Sequence, residues 1–151
     1  MILIIGYGNP LRSDDAIGQR IAQMMEERLK LEAVKVITAY QLTPELVEPI
    51  RDAQLAIFID ARVGSIPGKV IWESIEPQSN VGIFTHNVSP STLLGAAYEL
   101  YGVKPAAILI SITGFDFEYG SNLSPELNRM LPGIADHIET IIQTNLISQL
   151  I

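Results

Sequence analysis

The segment Met1 to Gly18, MILIIGYGNPLRSDDAIG, restricts the fold more than any other part of the chain. Ile2 to Ile5 is a short, dense apolar run rich in β-branched side chains, the pattern of a strand buried on both faces. Gly6 and Gly8 free the backbone from side-chain sterics, and Asn9-Pro10 forces a turn. Ser13 is placed to cap a helix carrying Asp14 and Asp15 in its first turn, with Ile17, Ile21, Met24 and Met25 following at helical spacing. Strand, glycine loop and helix in succession predict a parallel α/β sheet. They put two carboxylates at the carboxyl end of the first strand, where open α/β sheets bind ligands.

The rest of the chain repeats the alternation. The first helix is expected from Asp14 to about Leu31, and Val34 to Ala39 reads as the second strand. Thr43-Pro44-Glu45 combines a cap, a proline at the first position and an acid, and starts a second helix that runs to about Arg51. Leu55 to Ile59, LAIFI, is another fully apolar strand and leads directly into Asp60. Lys69 to Ile75 alternates and reads as a less buried, antiparallel edge strand. Ser89-Pro90 opens a third helix that ends near Tyr101-Gly102, and Ala106 to Thr113 is the last core strand. Ser124-Pro125-Glu126 begins a final helical region, which Pro132-Gly133 is expected to break. The fold class is α/β: three layers, with a twisted, mostly parallel five-stranded sheet, one antiparallel edge strand, and helices on both faces. All 151 residues form a single domain, with no linker or repeat to divide them.

Bulk composition removes several functions. The net charge of −7, with ten scattered basic residues, disfavours nucleic acid as a partner. No apolar run reaches the ~18 residues needed to cross a membrane, so none is expected as a partner. No basic region precedes the first apolar run, so that run reads as a core strand and not as a signal peptide. With no cysteine, the chain offers no disulfide, no thiolate nucleophile and no sulfur ligand, which fits a cytoplasmic location.

The remaining candidates are oxygen and nitrogen donors. Asp14 and Asp15 would steady a first helical turn through the macrodipole, but their side chains point about 100° apart, so one can face the crevice while the other does not. Asp60 follows a buried strand, where an unpaired carboxylate is costly; it braces a loop or binds a cation. His86 precedes a capped helix, whereas His137, between Asp136 and Ile138 on the last helix, reads as solvated. Three separate loops thus bring Asp15, Asp60 and His86 to one crevice, a donor set suited to a borderline divalent metal such as nickel or zinc. A dinucleotide fingerprint fits poorly. Leu11 stands where the third glycine belongs, and Asp14 and Asp15 occupy the place of the phosphate.

These motifs resemble the nickel-dependent hydrogenase maturation endopeptidases. The likeness rests on Gly6 to Gly18 (GYGNPLRSDDAIG), Gln41 to Leu46 (QLTPEL), Ile59-Asp60-Ala61, His86 to Pro90 (HNVSP) and Leu123 to Glu126 (LSPE), in the family's order. It implies an endopeptidase that removes the C-terminal extension from the precursor of a nickel–iron hydrogenase large subunit after nickel insertion. By the resemblance, Asp15, Asp60 and His86 contact that nickel, which the substrate supplies, so the free enzyme is expected to be metal-free. Aspartate at position 15 departs from the glutamate the family often carries there. Gln41, Leu42 and Thr43 fall in the family's substrate-facing region. The expected partner is the precursor, met by a monomer in the cytoplasm. The competing readings are a non-catalytic checkpoint or chaperone for the nickel site, and a nucleotide-binding Rossmann-like domain.

Overall fold

A computed structural model describes residues 1–79 and 88–150. Five strands form one sheet: β1 (Ile2–Tyr7), β2 (Val34–Ala39), β3 (Leu55–Arg62), β4 (Val70–Ser74) and β5 (Ala106–Thr113). Four helices surround it: α1 (Ile17–Leu29), α2 (Val47–Arg51), α3 (Pro90–Tyr101) and α4 (Pro125–Leu150). The strand order is β2-β1-β3-β5-β4, parallel except for β4, which lies antiparallel to β5 at the edge. This is the three-layer α/β architecture the alternation predicts. The chain leaves β1 in one direction to β2 and then crosses back to β3, so the topological switch point lies between the carboxyl ends of β1 and β3.

Side-chain alternation along the buried strands makes two cores. Ile2, Ile4, Leu55, Ile57 and Ile59 pack on one face with Ile17, Ile21 and Met25 of α1 and Leu127, Ile134 and Ile138 of α4. Leu3, Ile5, Ala56 and Phe58 pack on the other with Val47 and Ile50 of α2 and Leu93 and Leu94 of α3. By the same parity, Tyr7 and Asp60 belong to the α2/α3 face.

Where α1 crosses the sheet there is no room for side chains. A Cβ on Gly18 would lie 2.4 Å from the Ile59 carbonyl oxygen and 2.6 Å from that of Tyr7, and one on Gly6 would lie 2.2 Å from the Gly18 oxygen. These neighbours are backbone atoms, which cannot rotate away. Gly18→Ala should therefore lose about 3 kcal/mol or more of stability, the range of severe overpacking. A urea melt checks this, and a loss below 1 kcal/mol would show that the contact is soft.

Three local expectations need correction. Ser13 caps no helix: it sits at a left-handed φ of 52°, and its hydroxyl donates to the Glu118 carbonyl at 2.7 Å. The turn Ser13–Ala16 is 3₁₀, and α1 proper starts only at Ile17. Thr43 makes no cap hydrogen bond either; its side chain bonds the Glu45 carboxylate, and Pro44–Leu46 is again 3₁₀. Finally, Pro132 does not break α4. It lies on the exposed side, while Leu131, Ile134, Ala135 and Ile138 are buried on the other, so packing outweighs the lost hydrogen bond. Ser89, by contrast, forms the expected cap: Thr92 N–H donates to its hydroxyl oxygen at 3.2 Å, and its own N–H donates to the Thr92 hydroxyl at 2.8 Å.

Candidate active site

The loop after β1 is held from both sides. Asn9 N–H donates to Asp15 Oδ2 at 2.7 Å, and Leu11 N–H donates to Asn9 Oδ1 at 2.8 Å. Gln19 reaches up from α1 to donate to the carbonyls of Gly8 and Ala39, at 2.8 and 2.9 Å, tying the ends of β1 and β2 together. Gly8, at φ 144°, has no space for a Cβ, which would fall 2.0 Å from the Asp15 carbonyl. Its glycine serves close packing within the loop and does not open a phosphate cradle.

The two neighbouring acids have separate tasks. Asp14 is fully buried and accepts four hydrogen bonds. Three come from the backbone N–H groups of Phe115 (2.7 Å), Asp116 (3.0 Å) and Ser124 (2.7 Å), and the fourth from the Ser124 hydroxyl (2.8 Å). It locks the loop after β5 and the start of α4 onto the opening turn. Asp15 is half-buried and faces Asp60 electrostatically.

Asp60 stands near the carboxyl end of β3. The pairing Gly6↔Ile59 puts Tyr7 beside it, and the Tyr7 hydroxyl donates to its carboxylate. Ala61 N–H donates to Asp60 Oδ1 at 2.8 Å. Burial pushes the Asp60 carboxyl up to about 6; the Tyr7 and Ala61 hydrogen bonds favour its charge, and the nearby Asp15 carboxylate opposes it. Burial, reinforced by Asp60, likewise raises the Tyr7 phenol. A half-buried carboxylate with its pKa raised, beside a second acid at a switch point, is the electrostatic pattern associated with functional sites. A cation between the two would relieve their repulsion, and without one the raised carboxyl is suited to take up a proton near neutral pH.

Two of the three predicted donors, Asp15 and Asp60, thus come together. His86, the third, lies outside the described residues, and among the described residues no three His, Cys, Asp or Glu side chains converge as a metal site. His137 is exposed on α4, as expected of a solvated residue. In the candidate substrate segment Gln41 is exposed and Thr43 half-buried, but Leu42 is only 6% exposed and packs into the α2/α3 core, so it is a core residue there and not a surface contact. Sequence reading missed Tyr7. Only strand register puts its hydroxyl on Asp60, although an aromatic residue with a polar tip ending a buried strand was a usable hint.

The fold and site together define an open α/β protein with a pair of carboxylates at the switch point of its sheet. The chain is 27% identical over 138 residues to the hydrogenase 2 maturation protease of Escherichia coli K12, a match covering 86% of this chain and 83% of that protein. Among solved structures, it matches the hydrogenase maturating endopeptidase HybD from Escherichia coli with a TM-score of 0.75 at 23% identity, covering 95% of this chain and 93% of the other. It matches the hydrogenase maturation protease HycI from Thermococcus kodakarensis KOD1 with a TM-score of 0.72 at 24% identity, covering 94% and 92%. No protein-family model matches the chain. The chain is thus similar in sequence to one hydrogenase maturation protease and shares its fold with solved maturation endopeptidases.

Proposed function

We propose that this protein is an endopeptidase that hydrolyses one peptide bond in the precursor of a nickel–iron hydrogenase large subunit, releasing the C-terminal extension once nickel has been inserted. The observation that carries the reading is the pairing of Asp15 with Asp60 at the switch point of a chain related to a hydrogenase 2 maturation protease. Nickel belongs to the substrate in this scheme. Asp15 and Asp60 contact it through carboxylate oxygens, His86 supplies a nitrogen, and the free enzyme carries no metal of its own. Oxygen and nitrogen donors with open positions suit brief engagement of an ion that another protein already holds.

The chain's own residues prepare this encounter. Tyr7 and the Ala61 amide fix the Asp60 carboxylate, and Asn9 fixes that of Asp15, so neither has to be ordered when the precursor arrives. Gln41 and Thr43 lie on the loop that follows β2, where they contact the substrate chain. The described residues include no helix long and apolar enough to cross a membrane. The enzyme acts on its precursor as a monomer in the cytoplasm.

The deciding experiment mixes purified protein with nickel-loaded precursor and weighs the products. Loss of a C-terminal peptide is expected; an intact precursor that merely binds would make the protein a checkpoint instead. His86→Ala should keep the melting temperature within about 2 °C while slowing cleavage at least as much as the ~10–100-fold that loss of an outer-shell partner costs. Normal cleavage by that variant would remove His86 from the site.

A further inference from the structure

Large apolar side chains stand exposed on the loops that surround the carboxylate pair. Leu11 follows β1, Tyr40 follows β2, Val63 and Ile66 follow β3, and Phe115 and Tyr119 follow β5. Tyr119 and Val63, 82% and 79% exposed, are the most exposed large hydrophobic residues among those described. The other exposed apolar residues, such as Leu31, Leu100 and Ile147, are spread over the remaining elements, as on any protein surface.

Backbone hydrogen bonds join these loops into one surface. Gly120 N–H donates to Leu11 O at 2.9 Å, and Ser13 N–H to Gly120 O at 3.0 Å. Gly114 N–H donates to Arg62 O at 3.1 Å, Gly68 N–H to Thr113 O at 2.6 Å, and Gly8 N–H to Ala39 O at 3.1 Å. From β2 to β5 is three inter-strand steps, about 14 Å, before the loops are added. That breadth suits a folded surface better than a single extended strand.

The charge at its centre selects the occupant. Asp15 and Asp60 occupy the crevice, and Asp116 and Glu118 stand exposed on the loop after β5; the exposed cations nearby are Arg12 on the loop after β1, Arg62 at the end of β3 and Lys69 on the loop after it, so the acids at the centre outnumber them. A second copy of the chain, itself of net charge −7, would bring these carboxylates face to face, a like-charge contact that opposes association.

Building on the function proposed above, we propose that Leu11, Tyr40, Val63, Ile66, Phe115 and Tyr119 form the docking rim for the folded body of the hydrogenase precursor, which meets it with an apolar patch around a cationic centre of its own. The rim supplies affinity through apolar burial and excludes water around the charged contact, as near-neutral rings do around interface hot spots.

The test measures precursor binding and cleavage side by side, using nickel-loaded precursor from the same organism. Val63→Asp and Tyr119→Asp should each raise both Kd and KM at least tenfold, with kcat within twofold of wild type. Leu100→Asp and Ile147→Asp, at residues also exposed (67% and 59%) but away from the rim, should change neither. Wild-type Kd in the rim variants, or an equal rise in the controls, would overturn the rim while leaving the cleavage reading intact. Wild-type protein that binds the precursor without cutting it would overturn the cleavage reading, and the Kd series would still judge the rim. Absence of binding would refute both, and sedimentation showing a wild-type dimer that Val63→Asp dissolves would reassign the surface to self-association.

Discussion

Asp14→Ala is expected to remove about 3–5 kcal/mol of folding stability, a large share of the ~5–15 kcal/mol typical of a domain. The alanine variant leaves the Phe115, Asp116 and Ser124 amides and the Ser124 hydroxyl without their acceptor. Each buried donor stranded in this way costs about 1–3 kcal/mol, and water entering the partly buried positions recovers some of it. Asp14→Asn keeps the shape but turns an N–H group towards donors, so it should be damaged almost as much. Urea denaturation checks the magnitude. Limited proteolysis checks the location, since cutting should begin between Gly114 and Ser124. A variant within 1 kcal/mol of wild type would mean the latch contributes little.

Asp60→Asn should do the opposite to stability and abolish function. The carboxyl pKa is raised in the folded state, to about 6. Asp60 therefore destabilises nothing while protonated in both states, below about pH 4, and burdens the fold progressively as pH rises through about 6. The rise to about 6 corresponds to about 3 kcal/mol. Asparagine can still accept from Ala61 and pair with Tyr7, so a gain of about 1–2 kcal/mol at pH 8 is the expected outcome. That is roughly 2–8 °C in Tm for a chain of this size. The advantage should hold from pH 8 down to about 6 and shrink between about 6 and 4; a gap that stays constant down to about pH 4 would show that burial of the charge is not its source. Under the proposed function, in which Asp60 contacts the nickel of the precursor, cleavage should fall on the order of 100-fold or more. A site that is strained without its ligand and improved by neutralisation is what selection for binding, not for stability, leaves behind.

Much of the architecture is legible along the chain because the signals are local. Val34–Ala39 and Ala106–Thr113 appear with the bounds their apolar and β-branched runs suggest, and Ser89 caps α3 as serine before Pro90 implies. The antiparallel edge position of β4 follows from its weaker apolar pattern. What failed depended on distant partners. Ser13 looks like a cap until Glu118, more than a hundred residues away, takes its hydroxyl. Pro132 looks like a break until the buried side of α4 outweighs it. The site divides in the same way: Asp60 is conspicuous at the end of LAIFI, but nothing local tells Asp14 the latch from Asp15 the crevice acid. Leu42 sits in a motif that reads as substrate-facing, yet its apolar side chain turns inward. Tyr7 is visible only through register, a property of two strands and not of either one.

The mutual approach of Gly6 and Gly18 also bears on how such a chain can diverge. Neither position can acquire a side chain alone, and changing both at once would still leave each new methyl against carbonyl oxygens. Evolution is therefore free to rewrite the loops, recruiting other precursors or adjusting their grip, but the hinge between the first strand and its helix is a fixed point around which every descendant must be assembled.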